Sequence, residues 1–241
     1  MLNKESKIIL CITGVSHFSV HASMLIFPAI MITLQDCLNV GLDTLGWMYM
    51  LSSFMFGLGS IPAGFLEKKF GGRNLLVVFQ IGASISGLII IFANDLTIMT
   101  FGMMLLGLSA SIYHPAGLTI ISRRVLQTSK AMGYHGIAGS LGLSAGPLLA
   151  AWFASIIDWR FAYFTMIVFW VILSVVTVFL IPAEHISVDV KEKITPKRSI
   201  LRPLITYYFI TSLIGLAFTG FITYMPIFFS NNAYSFLFIN D

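Results

Sequence analysis

The chain has 241 residues, of which 57% are hydrophobic and only 10% are charged, and its formal net charge is +4. Soluble domains carry about 25% charged residues, so this composition excludes a water-soluble fold and predicts a protein embedded in a lipid bilayer. The basic residues lie in short gaps between hydrophobic runs rather than in one patch, which argues against a nucleic-acid partner.

Seven apolar runs are long enough to cross the hydrocarbon core of a membrane, which is about 30 Å thick. They cover residues 8–34, 42–66, 75–93, 97–121, 131–156, 160–181 and 203–230. Charged side chains lie only at the ends of these runs, in the connections and in the tails. This exclusion is expected, because a charge at the centre of a spanning helix costs about 2.5–3.5 kcal/mol.

The runs and their connections predict an all-α membrane protein with a defined orientation. We predict a six-helix N-terminal transmembrane bundle over 1–181, a cytoplasmic linker over 182–202, a seventh transmembrane helix over 203–230 and a short outside tail over 231–241. All but one of the 14 Lys and Arg residues, the exception being Arg160, lie on one side of this arrangement. Because basic loops stay in the cytoplasm, we predict a cell-membrane protein with a cytoplasmic N-terminus and an outside C-terminus.

Prolines interrupt five of the seven runs and predict kinks in those helices, because each removes a backbone hydrogen bond. They are Pro28, Pro62, Pro115, Pro147 and Pro226. Kinked or broken helices are common in transporters, although a single kink is weak evidence for one.

Two runs carry small or polar residues spaced 4, 3 and 4 positions apart. They are Ser53, Gly57, Ser60 and Gly64 in the second run, and His135, Gly139, Gly142 and Gly146, followed by Pro147, in the fifth. Such a stripe stays on one side of a helix and predicts close contact with another helix. The pattern leaves open whether the partner helix belongs to this chain.

Histidines are the ionisable groups inside the predicted spans. His17 and His21 lie one helical turn apart in the first run, His114 lies in the fourth and His135 lies near the start of the fifth. Counting 1.5 Å per residue places His17 and His114 at one depth and His135 closer to the cytoplasmic interface. The alternatives are neutral imidazoles that bond neighbouring helices, and a substrate-binding or proton-coupling site. For that site we predict that His17, His21, Tyr113 and His114 face one polar cavity.

Other recognisable chemistry is absent from the sequence. It has no phosphate-binding glycine loop, no Ser-His-Asp order and no paired carboxylates within the spans. His17 and His21 have the spacing of metal ligands, but no acid or thiol is available within the bilayer to complete a site. The sequence therefore predicts no catalytic residue, no cofactor and no metal, which disfavours an enzyme.

The connection between the second and third runs contains Gly64, Leu66, Lys69, Gly71 and Arg73. At these positions it resembles the cytoplasmic signature of the major facilitator superfamily. Lys68 stands where that family usually has Asp. The fifth run, GSLGLSAGPLLA, resembles the family's Gly-Pro motif at Gly142, Gly146 and Pro147, and YHPAGLTIISR resembles the fosmidomycin-resistance-like branch.

The resemblance implies the first half of a twelve-helix transporter, plus one further helix. It implies that helices one, four and seven line a central cavity, that helices two and five pack on the second half, and that a small solute is exported by alternating access. It also implies that the chain is incomplete alone, so that both stripes lie against lipid, a second half-transporter or another copy. The alternative is a non-transporting truncated membrane protein or a helix-packing partner of another membrane chain.

Overall fold

In a computed structural model, residues 2–183 and 198–237 are described, and every regular element among them is an α-helix. The helices are α1 (Lys4–Met24), α2 (Ile26–Ala29), α3 (Met31–Leu38), α4 (Leu42–Phe70), α5 (Gly72–Ile91), α6 (Leu96–Ser111), α7 (Tyr113–Arg124), α8 (Thr128–Ile156), α9 (Arg160–Leu180) and α10 (Arg198–Leu237). The all-helical fold class predicted from the sequence is therefore confirmed.

Six helical segments among the described residues are long and apolar enough to span a membrane. They are Leu42–Phe70, Gly72–Ile91, Leu96–Arg124, Thr128–Ile156, Arg160–Leu180 and Leu201–Phe229. The first predicted span is not in this set. A break at Leu25 separates α1, with its two histidines, from the apolar residues that follow.

Proline explains two of the three breaks in the predicted spans, those at Leu25 and Ile112, but not the one at Ile30. The ring of a proline clashes with the carbonyl four residues earlier, and its nitrogen has no hydrogen to donate. Pro28 lies four residues after Met24, where α1 ends, and Pro115 lies four residues after Ser111, where α6 ends. The helices that contain Pro62 and Pro147 continue without a break.

The chain divides into two units, Met1–Ile186 and Ser187–Asp241. In the first unit α1 packs on α8, α4 packs on α6, and α5 packs on both α6 and α9. The second unit contains α10, which begins inside the predicted linker and ends beyond the predicted limits of the seventh helix. Most of the predicted linker and the last four residues of the predicted tail lie outside the described residues.

The glycine stripe of α8 packs against α1, so the expectation that it faces lipid or another chain is wrong. A methyl group added to Gly142 would collide with the carbonyl of Phe18, and one added to Gly146 would collide with the carbonyl of Ala22. Gly139 lies directly against the ring of His17. Glycine is needed here because the α1 backbone occupies the space that a side chain would fill.

The stripe of α4 has a different environment. A methyl group added to Gly57 or Gly64 would meet nothing within 4 Å among the described residues. The buried side of α4 includes Ser52, which donates a hydrogen bond of 2.7 Å to the Met103 carbonyl of α6, and Gly59, which lies against Ser111. The predicted close contact of the Ser53–Gly64 stripe therefore stays a prediction.

Candidate functional site

Four histidines from three helices meet inside the first unit. His17 and His21 come from α1, His114 from α7 and His135 from α8. The ring centroid of His17 lies 4.7 Å from that of His21, 5.2 Å from that of His114 and 4.1 Å from that of His135. His17 is therefore the centre of the group, which we call the histidine cluster.

The contacts that assemble the cluster follow from two local features already described. Gly139 lets α8 approach α1 closely enough for the rings of His17 and His135 to stack, with an interplanar angle of 10°. The break at Ile112 starts a new helix at Tyr113, which places Tyr113 and His114 in its first turn. A glycine contact and a proline break thus bring residues that are far apart in sequence to one place.

Hydrogen bonds determine which nitrogen of His17 carries the proton in its neutral form. The Nδ1 atom of His17 lies 2.8 Å from the backbone carbonyl oxygen of His135, which only accepts, so Nδ1–H is the donor. The Nε2 atom of neutral His17 then has a free lone pair. It lies 3.0 Å from Nε2 of His21, which donates to it when both rings are neutral.

Tyr113 forms the buried wall of the cluster. Its hydroxyl donates a 2.5 Å hydrogen bond to the Thr13 carbonyl on α1, and it lies 3.5 Å from both ring nitrogens of His135. The ring of Tyr113 stacks on that of His17, with centroids 5.4 Å apart. Tyr113 and His135 are buried, whereas His21 and His114 are half-buried.

The structure thus brings together all four residues that the sequence proposed for one site, His17, His21, Tyr113 and His114. Their opening onto a cavity stays a prediction. The depth estimate for His135 stays a prediction, and the ring of His135 stacks on that of His17, with centroids 4.1 Å apart. Helix tilt and the reach of the side chains, which a count of residues ignores, allow this contact.

The signature between α4 and α5 contains an ion pair that the sequence analysis did not identify. Glu67 is buried and accepts hydrogen bonds of 2.8 and 3.3 Å from the guanidinium of Arg123 on α7. It is the one acid in GSIPAGFLEKKFGGR and lies next to Lys68, which is exposed. Gly71, with φ of 78°, caps α4, and Arg73 donates a 2.8 Å hydrogen bond to the Val178 carbonyl of α9.

A second missed residue is Gln80, the one amide side chain in the predicted third span. It is fully buried, and its Nε2 donates to Ser16 Oγ at 3.2 Å and to Thr177 Oγ1 at 3.1 Å. Its Oε1 has no hydrogen-bond partner among the described residues. Gln80 connects α5 with α1 and α9, and an amide inside an apolar run was the signal that marked it.

The sequence of this chain is similar to that of known proteins and matches a family model. Quinolone resistance protein NorB of Staphylococcus aureus strain JH9, and the same protein of strain Newman, are each 26% identical to it over 150 residues. That alignment covers 61% of this chain and 32% of NorB, so it spans about a third of the relatives' length. The family model described as Major Facilitator Superfamily matches residues 10–239. The chain therefore belongs to the major facilitator superfamily, a family of multi-pass membrane transporters rather than enzymes.

Proposed function

We propose that the chain provides the histidine-bearing bundle of a secondary transporter, which exports a small solute by alternating access. The observation that carries the proposal is the histidine cluster, because ionisable groups inside a membrane are costly and are by default functional. Its residues come from α1, α7 and α8, so a movement between these helices would change the cluster.

The cluster has the properties of a proton-coupling site. When one proton is added at Nδ1 of His21, the bond from its Nε2–H to Nε2 of His17 is kept and becomes charge-assisted. Among the described residues, the other rings with titratable groups that contact these two are those of His114, His135 and Tyr113, and none of them carries a carboxylate. The pair therefore stores one proton without a nearby carboxylate, which is the task of a coupling site.

Export, rather than uptake, is supported by two resemblances. NorB is named for quinolone resistance, and α8 carries Gly142, Gly146 and Pro147, which resemble a motif seen often in exporters. The finer assignment to the fosmidomycin-resistance-like branch rests on residues 113–123 and belongs to the same proposal. A quinolone and fosmidomycin are therefore the two test cargoes.

Transport is tested under a pH gradient in membrane vesicles from cells that naturally produce this chain, so that a second half-transporter or further copies can assemble with it. We expect gradient-driven movement of one test cargo with coupled proton flux, both lost in His21→Gln and kept in His185→Ala, the remaining histidine, which lies outside the described residues. Correctly inserted wild-type chain that moves neither cargo nor protons would overturn the proposal. That result would favour a helix-packing partner of another membrane chain, for which the open side of α4 at Gly57 and Gly64 is the supporting observation.

Orientation is the second part of the proposal, with the N-terminus in the cytoplasm and the C-terminus outside. It is supported by the basic residues at one end of the bundle, where Arg124 pairs with Glu5 at 2.5 Å. Ser129→Cys and Asn94→Cys are labelled in intact cells with a membrane-impermeant thiol reagent, after Cys11 and Cys37 are replaced by Ser. We expect position 94 to react and position 129 to be protected, and the reverse pattern would refute the orientation.

A further inference from the structure

We infer that His17, His21 and His114 form a binding site for a zinc-class divalent ion, with three imidazole ligands and one open position. One ring nitrogen from each residue lies within 4.8 Å of the other two. No metal was predicted from the sequence, because no acid or thiol within the bilayer could join the pair on α1. The third ligand is instead a histidine on α7, almost a hundred positions away in the sequence.

The distances fit tetrahedral coordination after a small adjustment. Zinc–nitrogen bonds of 2.0–2.1 Å at tetrahedral angles place two ligand nitrogens about 3.4 Å apart. The Nε2 atoms of His17 and His21 lie 3.0 Å apart, and the longest separation within the trio is no more than 4.8 Å. A rotation of the half-buried His114 side chain that moves its ligand nitrogen by at most about 1.4 Å would therefore complete the geometry.

The hydrogen bonds also orient the central ligand. The Nδ1–H of His17 is held by the carbonyl of His135 at 2.8 Å, which leaves the Nε2 lone pair directed at His21. A bond from the second ring nitrogen to a backbone carbonyl is the usual support of a metal-bound histidine, because it fixes the tautomer and the ring orientation. His135 therefore supports the site through its backbone, whereas its side chain stacks beside the central ligand.

The ligand set selects the metal. Imidazole suits zinc and its borderline neighbours, whereas magnesium and calcium require carboxylate or carbonyl oxygens. Three neutral histidines with a water in the fourth position is a known arrangement for zinc. Among the described residues the group that could hold an ion consists of three histidines and contains no carboxylate. The bound ion would join α1 to α7, and it would compete with protons for the lone pair of His17.

Metal binding is measured on the purified full chain in detergent and needs no transport activity, so its failure is distinct from that of the proposed function. Calorimetry with Zn²⁺ and visible absorption with Co²⁺ are the two readouts. We expect one ion per chain, a tetrahedral Co²⁺ spectrum and weaker binding as the pH falls from about 7.5 to about 5.5, because each ligand must be deprotonated. His114→Ala and His21→Ala should each weaken binding by at least about 100-fold.

One variant provides a matched control. His185→Ala removes a histidine outside the trio and should bind zinc within about tenfold of wild type. Size-exclusion profiles and helical circular dichroism check that each variant is folded. If His114→Ala does not fold, X-ray absorption of the wild-type zinc complex still tests the proposal, which requires three imidazole ligands. A wild-type chain without one-to-one binding, or a folded His114→Ala that binds as well as wild type, would overturn it.

Discussion

Two helices of the bundle carry small residues with the same 4-3-4 spacing, and they use them in opposite ways. On α8, Gly142 and Gly146 lie against the backbone of α1. On α4, Gly57 and Gly64 have open space where a side chain would begin. The spacing alone therefore predicts a smooth side of a helix, and it does not identify which helix, if any, packs against that side.

The buried side of α4 explains why the same pattern has two outcomes. It carries a second series of small residues, Ser52, Gly59 and Ala63, of which Ser52 and Gly59 contact α6. Gly107 on α6 completes the contact, because a methyl group there would collide with the Ser52 carbonyl. α4 thus has two smooth sides, and the glycines of the more regularly spaced one meet no neighbour among the described residues.

The largest expected effect is that of Gly142→Leu on α8. The obstacle is the Phe18 carbonyl, a backbone group that cannot rotate away, so α1 and α8 must separate. We expect a loss of about 2–3 kcal/mol in the free energy of unfolding, measured by denaturant titration in detergent. The His17–His135 contact should be lost as well, since it depends on the same approach of the two helices.

The matched control is Gly57→Leu on α4. Leucine is a better helix former than glycine, and a methyl group at this position meets no described neighbour within 4 Å, so the change should stay within about 0.5 kcal/mol or stabilise the chain. Gly133→Leu provides the same control on α8 itself, because a methyl group there also meets no described neighbour within 4 Å. Equal losses in Gly142→Leu and Gly57→Leu would contradict the comparison.

Gly59→Val tests whether the buried side of α4 is the second series. A side chain at this position meets Ser111 Oγ and, at 2.8 Å, Leu108 Cδ1. Both obstacles are the ends of side chains that can rotate, so the cost should be smaller than on α8, about 1–2 kcal/mol. Gly64→Val is the control, and a larger loss there than at position 59 would show that the stripe of the sequence analysis is the packed side.

The sequence predicted what depends on local periodicity. The helical runs, the shared side of His17 and His21, and the apolar spans all follow from residue type and spacing along one helix. The break at Ile112 could also be predicted, because Pro115 lies four residues after Ser111, where α6 ends. A periodic pattern, however, carries no information on the partner helix, which depends on tilt and register.

The contacts between helices were accordingly the parts that sequence reasoning missed. His135 joins His17 although a straight-helix count separates their depths, and His114 completes the trio from another helix. Glu67 and Arg123 are 56 positions apart, so nothing in either local segment indicates their pairing. Predicting these contacts requires the relative positions of α1 and α8, and those of α4 and the helices that pack on it.

Glu67→Gln tests whether the buried side of α4 continues to the end of the helix. The Glu67 side chain is 4% exposed, but that of its partner Arg123 is 48% exposed, so water screens the pair and reduces its contribution. We expect a loss of about 1 kcal/mol in the free energy of unfolding, because glutamine keeps one acceptor but loses the charge. Lys68→Gln is the control and should have no measurable effect. An equal loss in Lys68→Gln would show that the Glu67–Arg123 pair is not the charge interaction that stabilises this end of α4.

The smallest expected effect is that of Gln80→Leu. It compares the stability that α1 gains from its hydrogen bond with Gln80 with the stability that it gains from its close contact with Gly142. Gln80 donates two hydrogen bonds, to Ser16 and Thr177, and hydrogen bonds between membrane helices contribute about 0.6 kcal/mol each on average. Its buried Oε1 has no partner among the described residues, and removing that unsatisfied atom offsets part of the loss. Leucine fills most of the same volume, so the net cost should stay below about 1 kcal/mol. A cost equal to that of Gly142→Leu would mean that side-chain hydrogen bonds, rather than close backbone approach, hold α1 in the bundle.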